Sequence, residues 1–423
     1  MLLLMLNVFT LLCCYYIIKP VREALILGGE SAEVKSYASA VMAIALAALV
    51  PAYGNFASRV DRMRLITVVS WIFVSNLVLF YVLGKMAVPH IGIAFFIWVG
   101  IFNLMVIAQF WSFANDVYTR EEGERLFGVV AFGASLGAIL GGRAATVLFD
   151  SFGAYNLLLL AAGLLAASVL LTAAVNRIES RARDARSRQA AVAPLGREGG
   201  FSLVLSDRYL LYIALLALVL NVVNTNGEYI LGKTLSGAAD QLIRRGETGG
   251  LTPAEFKRNF IGTYYAGFFT WVNTVGAVVQ LLVVSRLLQK IGVRAALYVM
   301  PLIALGGYML LAVAPVIGYI RTVKIAENST DYSLQNTARQ ALFLPTSREA
   351  KYKAKAAIDT FFVRAGDVLS AGVVFAVSTL AFTTRTVAMV NIALVLVWIL
   401  IVFAIGRRHR AITAAENLAS NAA

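Results

Sequence analysis

Lys324, Glu327 and Asp331 follow one another at spacings of three and four residues inside an apolar stretch, so one helix face carries a cation and two carboxylates. The same face continues to Gln335. A second set, Lys19, Arg22 and Glu23, lies late in the apolar run that begins at Met1, with Pro20 among them as an expected bend. Ionisable groups at membrane depth cost at least a few kcal/mol each and usually face a bundle interior. Two kinds of chemistry suit them. The cations can hold an anionic substrate and the carboxylates a coupling ion, or the same side chains can close internal ion pairs. Other buried candidates are Arg143, Asn224, Asn226, Glu228, Asn273, Gln280, Arg321, Asn336, Arg339, Arg364 and Asp367.

The elements that must position these groups are membrane helices. The chain has 423 residues, 60% hydrophobic and 14% charged, with a mean hydropathy of +0.77. A soluble domain carries roughly 25% charge. Twelve mostly apolar runs are long enough to span a bilayer: 2–27, 36–57, 65–84, 93–117, 127–148, 154–175, 208–232, 260–285, 295–313, 315–340, 356–380 and 386–406. The fold class expected is an all-α polytopic membrane protein of twelve helices. The net charge of +14 lies mainly in loops, which speaks for membrane topology and against a nucleic-acid partner. Loops and tail on the Met1 side hold twenty-one cations and those on the other side eight, so both termini are expected to be cytoplasmic. The first run lacks a basic n-region and a small-x-small cleavage site, so it reads as a retained helix.

The long polar stretch on the basic side is 176–207, which reads as a solvated linker. It separates six runs from six. Expected domains are a first half over 1–175, the linker 176–207, a second half over 208–406 and a cytoplasmic tail over 407–423. Weak internal matches support a repeat. Ser58-Arg59 and Ser285-Arg286 lie 227 apart, Arg120-Glu121 and Arg348-Glu349 lie 228 apart, and Glu23 and Glu228 lie 205 apart. A parallel six-plus-six repeat is the plan of major facilitator transporters. The loop "GNFASRVDRMR" (Gly54, Asp61, Arg62, Arg64) resembles that superfamily's motif after its second helix. In such a fold helices 1, 4, 7 and 10 line the cavity, and the charges sort that way. In "GVVAFGASLGAILGG", Gly128, Gly133, Gly137 and Gly141 suit close helix packing.

No phosphate-binding P-loop, nucleophile elbow or metal-ligand cluster occurs, so neither an enzyme nor a cofactor is expected. The adjacent Cys13 and Cys14 suggest no disulfide framework.

Three blocks resemble the ATP/ADP antiporter family, the nucleotide translocases of plastids and intracellular bacteria. They are "YYIIKPVREALIL" (15–27), "QFWSFANDVYTREEGERLFGVVAFGASLGAILGG" (109–142) and "ARQALFLPTSREAKYKAKAAIDTFFVRAGDVLS" (338–370). On this resemblance Lys19 takes the family's first basic position, Arg22 its transport lysine and Glu23 the acid. The family's exchangers also carry a glutamate early in helix 4, where this chain reads "WVGIFNLMVIAQ", and a lysine in helix 11, near Asp367 and Arg364 here.

The resemblance implies a secondary transporter for an anionic, phosphorylated substrate, working by rocking of 1–175 against 208–406. Lys19, Arg22, Glu23, Arg143, Asn224, Glu228, Lys324, Glu327, Asp331, Arg364 and Asp367 form the expected substrate site. Asp61, Arg62, Arg120, Glu121, Arg348 and Glu349 are the expected gate. Six intramembrane cations, Lys19, Arg22, Arg143, Arg321, Lys324 and Arg364, exceed the five acids Glu23, Glu228, Glu327, Asp331 and Asp367 by one. That surplus permits an anion without specifying a nucleotide. The expected partners are a small-molecule substrate and the lipid of an inner membrane, with the chain a monomer. Two alternatives stay open: a permease for another solute, proton-coupled through Glu228 or Asp331, and a membrane scaffold that keeps the fold without transport.

Overall fold

The computed structural model describes residues 2–57, 62–117, 120–183, 200–347 and 350–422. Among them all regular structure is helical. Helices α1 (Leu2–Gly29), α2 (Ala32–Ala57), α3 (Arg62–Lys85), α4 (Ile91–Val117) and α5 (Arg120–Arg183) precede the linker. After it come α6 (Gly200–Ser206), α7 (Arg208–Arg244), α8 (Pro253–Val279), α9 (Ser285–Ala296), α10 (Val299–Val313) and α11 (Ile317–Thr330). The chain then continues through α12 (Asn336–Ala341), α13 (Lys355–Ala357), α14 (Val363–Thr379) and α15 (Thr384–Ala422). Four π-helical turns, Gln280–Val284, Asp331–Gln335, Ala350–Ala354 and Ile358–Phe362, are inserted among the later helices.

Nine helices among the described residues are long and apolar enough to cross a membrane. The tally is below twelve for local reasons. Val129–Ile178, 50 residues, carries two of the apolar runs. The 295–313 run folds as the 15-residue α10, and the 315–340 run is interrupted after the 14-residue α11 by a π turn. α1 passes unbroken through Pro20.

Short polar signals start the helices. In "TPAE", the Thr252 hydroxyl accepts from the Glu255 amide at 3.4 Å and the Glu255 carboxylate accepts from the Thr252 amide at 3.3 Å, with Pro253 in the first turn. Asp207 caps α7 by accepting from the Tyr209 amide at 2.7 Å, and Ser31 caps α2 by accepting from the Val34 amide at 3.3 Å.

Sharp direction changes are made by glycine. Gly153 inside α5 has φ 72° and ψ 165°, and Gly292 inside α9 has φ 73° and ψ 165°. This region of backbone space is essentially closed to residues with a Cβ. Neither glycine has heavy atoms within 4 Å of where a Cβ would sit, so the constraint is torsional and not steric crowding. Gly292→Ala and Gly153→Ala are each expected to cost about 1–3 kcal/mol, read as a lowered Tm in detergent. Gly163→Ala, at an open helical position, is the control and is expected to leave Tm unchanged or slightly raised.

The chain packs as two compact units. The first comprises Met1–Ala38, Ala48–Ala191 and Leu235–Asn273. Here α1 is the central element, packed chiefly against α5 and α4. The glycines of α5 explain the closeness. A Cβ at Gly133, Gly137 or Gly141 would strike the backbone carbonyls of Met5, Phe9 and Cys13 respectively, each a turn further along α1. A polar clasp ends this seam, where Asn7 donates to Thr172 at 2.8 Å and accepts from Ser168 at 2.5 Å. The part of α8 up to Asn273 belongs to the same unit, with Thr263 donating to Asp150 at 2.8 Å and Gly262 set against the Phe149 ring. The second unit comprises Ser39–Ala47, Val192–Thr234 and Thr274–Ala423. In it α10 packs on α15 and α11.

Candidate functional site

Two clusters of buried charge are assembled, one inside each unit. The first is built on α1. Glu23 is 1% exposed. Its Oε1 accepts from Arg22 Nε at 3.0 Å and from a terminal nitrogen of the same guanidinium. Its Oε2 lies 2.6 Å from the Lys35 ammonium on α2. One carboxylate thus serves two cations. A turn earlier, the Lys19 ammonium lies 3.9 Å from the centroid of Phe269, 5.3 Å from Tyr16 and 5.9 Å from Tyr15. Arg22 also stacks 4.8 Å from the Phe96 ring, and Lys35 lies 5.3 Å from Tyr265. Ring faces attract cations by up to about 2 kcal/mol when desolvated, without bringing a negative charge. Lys19, Arg22, Lys35 and Glu23, three cations and one carboxylate, together carry +2.

The second cluster is built on α7 and α11. Lys324 is wholly buried. Its ammonium lies 2.9 Å from Glu327 Oε2, donates to Asn224 Oδ1 at 2.7 Å, and reaches the Asn224 carbonyl at 3.3 Å and Glu228 Oε1 at 3.9 Å. Tyr308 of α10 donates to Glu327 Oε2 at 3.1 Å, and Asn328 donates to Glu228 at 3.2 Å. Lys324, Glu327 and Glu228 carry −1. Asp331 opens the following π turn, half-buried, within the electrostatic reach of Lys324, Glu327 and Arg339.

The middle of α7, "NVVNTNGE", explains how so many polar groups are accommodated. Asn221 donates to Asp367 at 2.8 Å and Thr225 donates to the same oxygen at 3.1 Å. Arg364 closes on the other oxygen of Asp367 at 3.1 Å. Asn226 donates to Asn391 of α15 at 2.9 Å and accepts from Ser370 of α14 at 2.7 Å. Successive α7 side chains therefore reach α14, α15 and α11, and each buried polar atom named here finds a partner.

Of the residues expected at the site, Lys19, Arg22 and Glu23 come together, as do Asn224, Glu228, Lys324 and Glu327. Arg364 and Asp367 pair with one another beside α7. Arg143 is exposed on α5 and joins neither cluster. Of the expected gate, Asp61, Arg348 and Glu349 lie outside the described residues, and Arg62, Arg120 and Glu121 are described only as helical backbone. Gln335 is buried but sits at the end of the π turn, which rotates it away from the α-helical face of Lys324.

Several residues of the clusters escaped the sequence reading. Lys35 looked like a loop cation, yet it stands in the first turn of α2 with 9% of its side chain exposed. The only signal was its distance from Glu23 across the short turn at Gly29 and Glu30. Tyr308, Asn221, Asn328, Asn391 and the rings of Phe96, Tyr265 and Phe269 gave none. Gly227 matters equally: a Cβ there would meet the Tyr308 hydroxyl and sit 2.9 Å from the Lys324 ammonium.

Membrane-length helices with an ionic cluster inside each unit define a multi-pass membrane protein of the helical carrier type. The chain belongs to the Major Facilitator Superfamily, whose family model matches residues 4–326. The model of the TLC ATP/ADP transporter matches residues 260–409. ADP,ATP carrier protein 1 of Chlamydia pneumoniae is 21% identical over 342 residues, 70% of this chain and 63% of the carrier. The carrier of the same name from Chlamydia trachomatis is 24% identical over 340 residues, 70% of this chain and 61% of that one. The chain thus spans less than two thirds of the length of these relatives. A crystal structure of the nucleoside transporter NupG superposes with a TM-score of 0.68 at 14% identity, covering 96% of this chain and 99% of that one. A bacterial homologue of ferroportin in an inward-facing state gives 0.62 at 14% identity, covering 96% and 97%. These likenesses show the fold.

Proposed function

We propose that the protein is a secondary carrier that exchanges nucleotides, ATP against ADP, across the bacterial inner membrane, with both termini cytoplasmic and the chain acting as a monomer. The observation that carries this reading is the convergence of Arg22 and Lys35 on a single carboxylate, with Lys19 one turn away among aromatic rings. Burying three cations around one carboxylate carries a desolvation cost. An arriving phosphate chain relieves it, and a guanidinium is the side chain best shaped for a bidentate phosphate contact. The match of the ATP/ADP transporter model and the names of the chlamydial relatives support the same substrate class. The moving bodies are 1–175 and 208–406. Such a rocking motion releases the contacts that the part of α8 up to Asn273 makes on α1, α2 and α5, including Phe269 on Lys19 and Tyr265 on Lys35.

One observation favours another phosphorylated anion as substrate: the stretch 98–109 of α4 holds no acid, and Asp367 is paired with Arg364. Counterflow of labelled ATP and ADP in proteoliposomes decides between them. Exchange of both nucleotides is expected. Uptake of a sugar phosphate or other organic phosphate with no nucleotide exchange would overturn the nucleotide reading. Arg22→Ala is expected to lower exchange at least ~100-fold, since a charge-assisted pair in a desolvated site contributes about 3 kcal/mol or more. Arg22→Lys, which keeps the charge but loses the fork, recovers part of it. Unchanged exchange in Arg22→Ala would remove Arg22 from the site.

A further inference from the structure

We infer that Lys324 is a tethered counter-ion: its ammonium fills an oxygen-lined cation site on α7, and the carrier therefore works without drawing on an ion gradient. Four oxygens face the ammonium at 2.7–3.9 Å: Asn224 Oδ1, the Asn224 carbonyl, Glu327 Oε2 and Glu228 Oε1. Two of them are carboxylate oxygens, so the place demands a positive charge. A set of side-chain and carbonyl oxygens with carboxylates among them is also what binds a hard cation from solution. The site holds more acceptor capacity than one ammonium uses. Glu327 is 2% exposed, and its Oε1 is buried with no hydrogen-bond partner among the described residues.

Access for the ammonium is built in. Gly227 leaves the flank of α7 bare where the Lys324 stem and the Tyr308 hydroxyl arrive. The charged and titratable groups around the site are Glu228 on α7, Tyr308 on α10, Glu327 on α11 and Asp331 on the π turn, with Arg339 acting on Asp331. Asn328 and Asn391 supply neutral dipoles. An ion-coupled carrier must take a cation from one side and release it on the other in every cycle. A cation fixed to α11 by a four-carbon stem keeps the same charge balance in every state and releases nothing.

The transport part of this inference rests on the exchange reading above, and the stability part stands without it. Wild type, Lys324→Ala and Lys324→Met are compared in detergent, with the chloride of choline, sodium, potassium, methylammonium or ethylammonium. Wild-type Tm is expected to be the same in all five. Lys324→Ala is expected to melt lower in choline and to regain much of the loss with one of the small cations or amines. Lys324→Met fills the stem's volume without charge and is expected to regain none. In proteoliposomes, wild-type exchange is expected to be unchanged by an imposed sodium or pH gradient. Lys324→Ala is expected to lose at least ~10-fold in choline and to recover with the cation that restores its Tm. The inference is overturned if none of the cations raises the Tm of Lys324→Ala, or if a sodium or pH gradient drives wild-type uptake. The gradient arm needs no variant, and the Tm arm needs no nucleotide.

Discussion

Glu23→Gln melts well below wild type, and nucleotide or inorganic diphosphate restores more of its Tm than it adds to wild type. Glu23 is the carboxylate that Arg22 and Lys35 share, and it is 1% exposed. Removing one partner of a buried ion pair leaves the other uncompensated, at about 3–5 kcal/mol. Here one substitution removes a carboxylate that two cations share, Arg22 and Lys35. Glutamine keeps the volume and a carbonyl oxygen, which confines the effect to charge. The second half of the expectation follows from mass action. A ligand that binds only the folded state stabilises it by RT ln(1 + [L]/Kd), so tighter binding gives a larger gain at the same concentration. An anion that takes over the role of the lost carboxylate binds the variant more tightly and raises its Tm further. Glu30→Gln is the control. Its partner His90 is 73% exposed, and breaking such a pair costs about 0–1 kcal/mol. Equal Tm gains in Glu23→Gln and wild type would show that the anion does not bind at this cluster.

Gly227→Ala abolishes transport and destabilises the second unit although it adds a single methyl group. The new Cβ would meet the Tyr308 hydroxyl and stand 2.9 Å from the Lys324 ammonium and 3.1 Å from its Cδ. Neither neighbour can yield cheaply. Tyr308 is fully buried and bonded to Glu327 and to the Val223 carbonyl. Lys324 is fully buried and held by Asn224 and Glu327. Overpacking alone costs about 1–3 kcal/mol. Displacing the ammonium from Glu327 adds the cost of a broken buried pair, about 3–5 kcal/mol. The expected result is a Tm loss at least as large as that of Tyr308→Phe, which removes only a hydroxyl. Second-site relief distinguishes the cause. Adding Tyr308→Phe to Gly227→Ala frees the space of the hydroxyl and is expected to recover part of the loss. A double variant that is merely additive would place the damage elsewhere.

Within a helix, the sequence was informative about faces. Lys19, Arg22 and Glu23 were legible as one cluster because three charges in an apolar run have no other reason to be there. The α5 glycines were legible as a packing stripe because their spacing matches a helix turn. What joins one helix to another was not legible. Nothing in "EVK" marks Lys35 as the partner of Glu23, since the pairing depends on how α2 turns back on α1. Phe269 and Tyr308 look like any apolar-segment aromatic until the fold brings them to Lys19 and Glu327. The helix tally is not a case of this limit, because 127–148 and 154–175 read as two runs and the glycine at φ 72° breaks α5 between them.

The four π turns have a consequence for descent. Each holds one residue more than the α-helical turn it replaces, which is the signature of a single inserted amino acid accepted into a finished helix. The wider turn absorbs the extra residue within one revolution, so the residues downstream keep their faces and are displaced only by one in number. Asp331–Gln335 therefore sets Asn336 and Arg339, and Ile358–Phe362 sets Arg364 and Asp367, one place out of the α-helical numbering of the helix before them. Relatives aligned without gaps across these turns will have the wrong faces matched. A one-residue deletion within 331–335 is expected to close the turn to an α-helical one and to leave the side chains that follow on their faces.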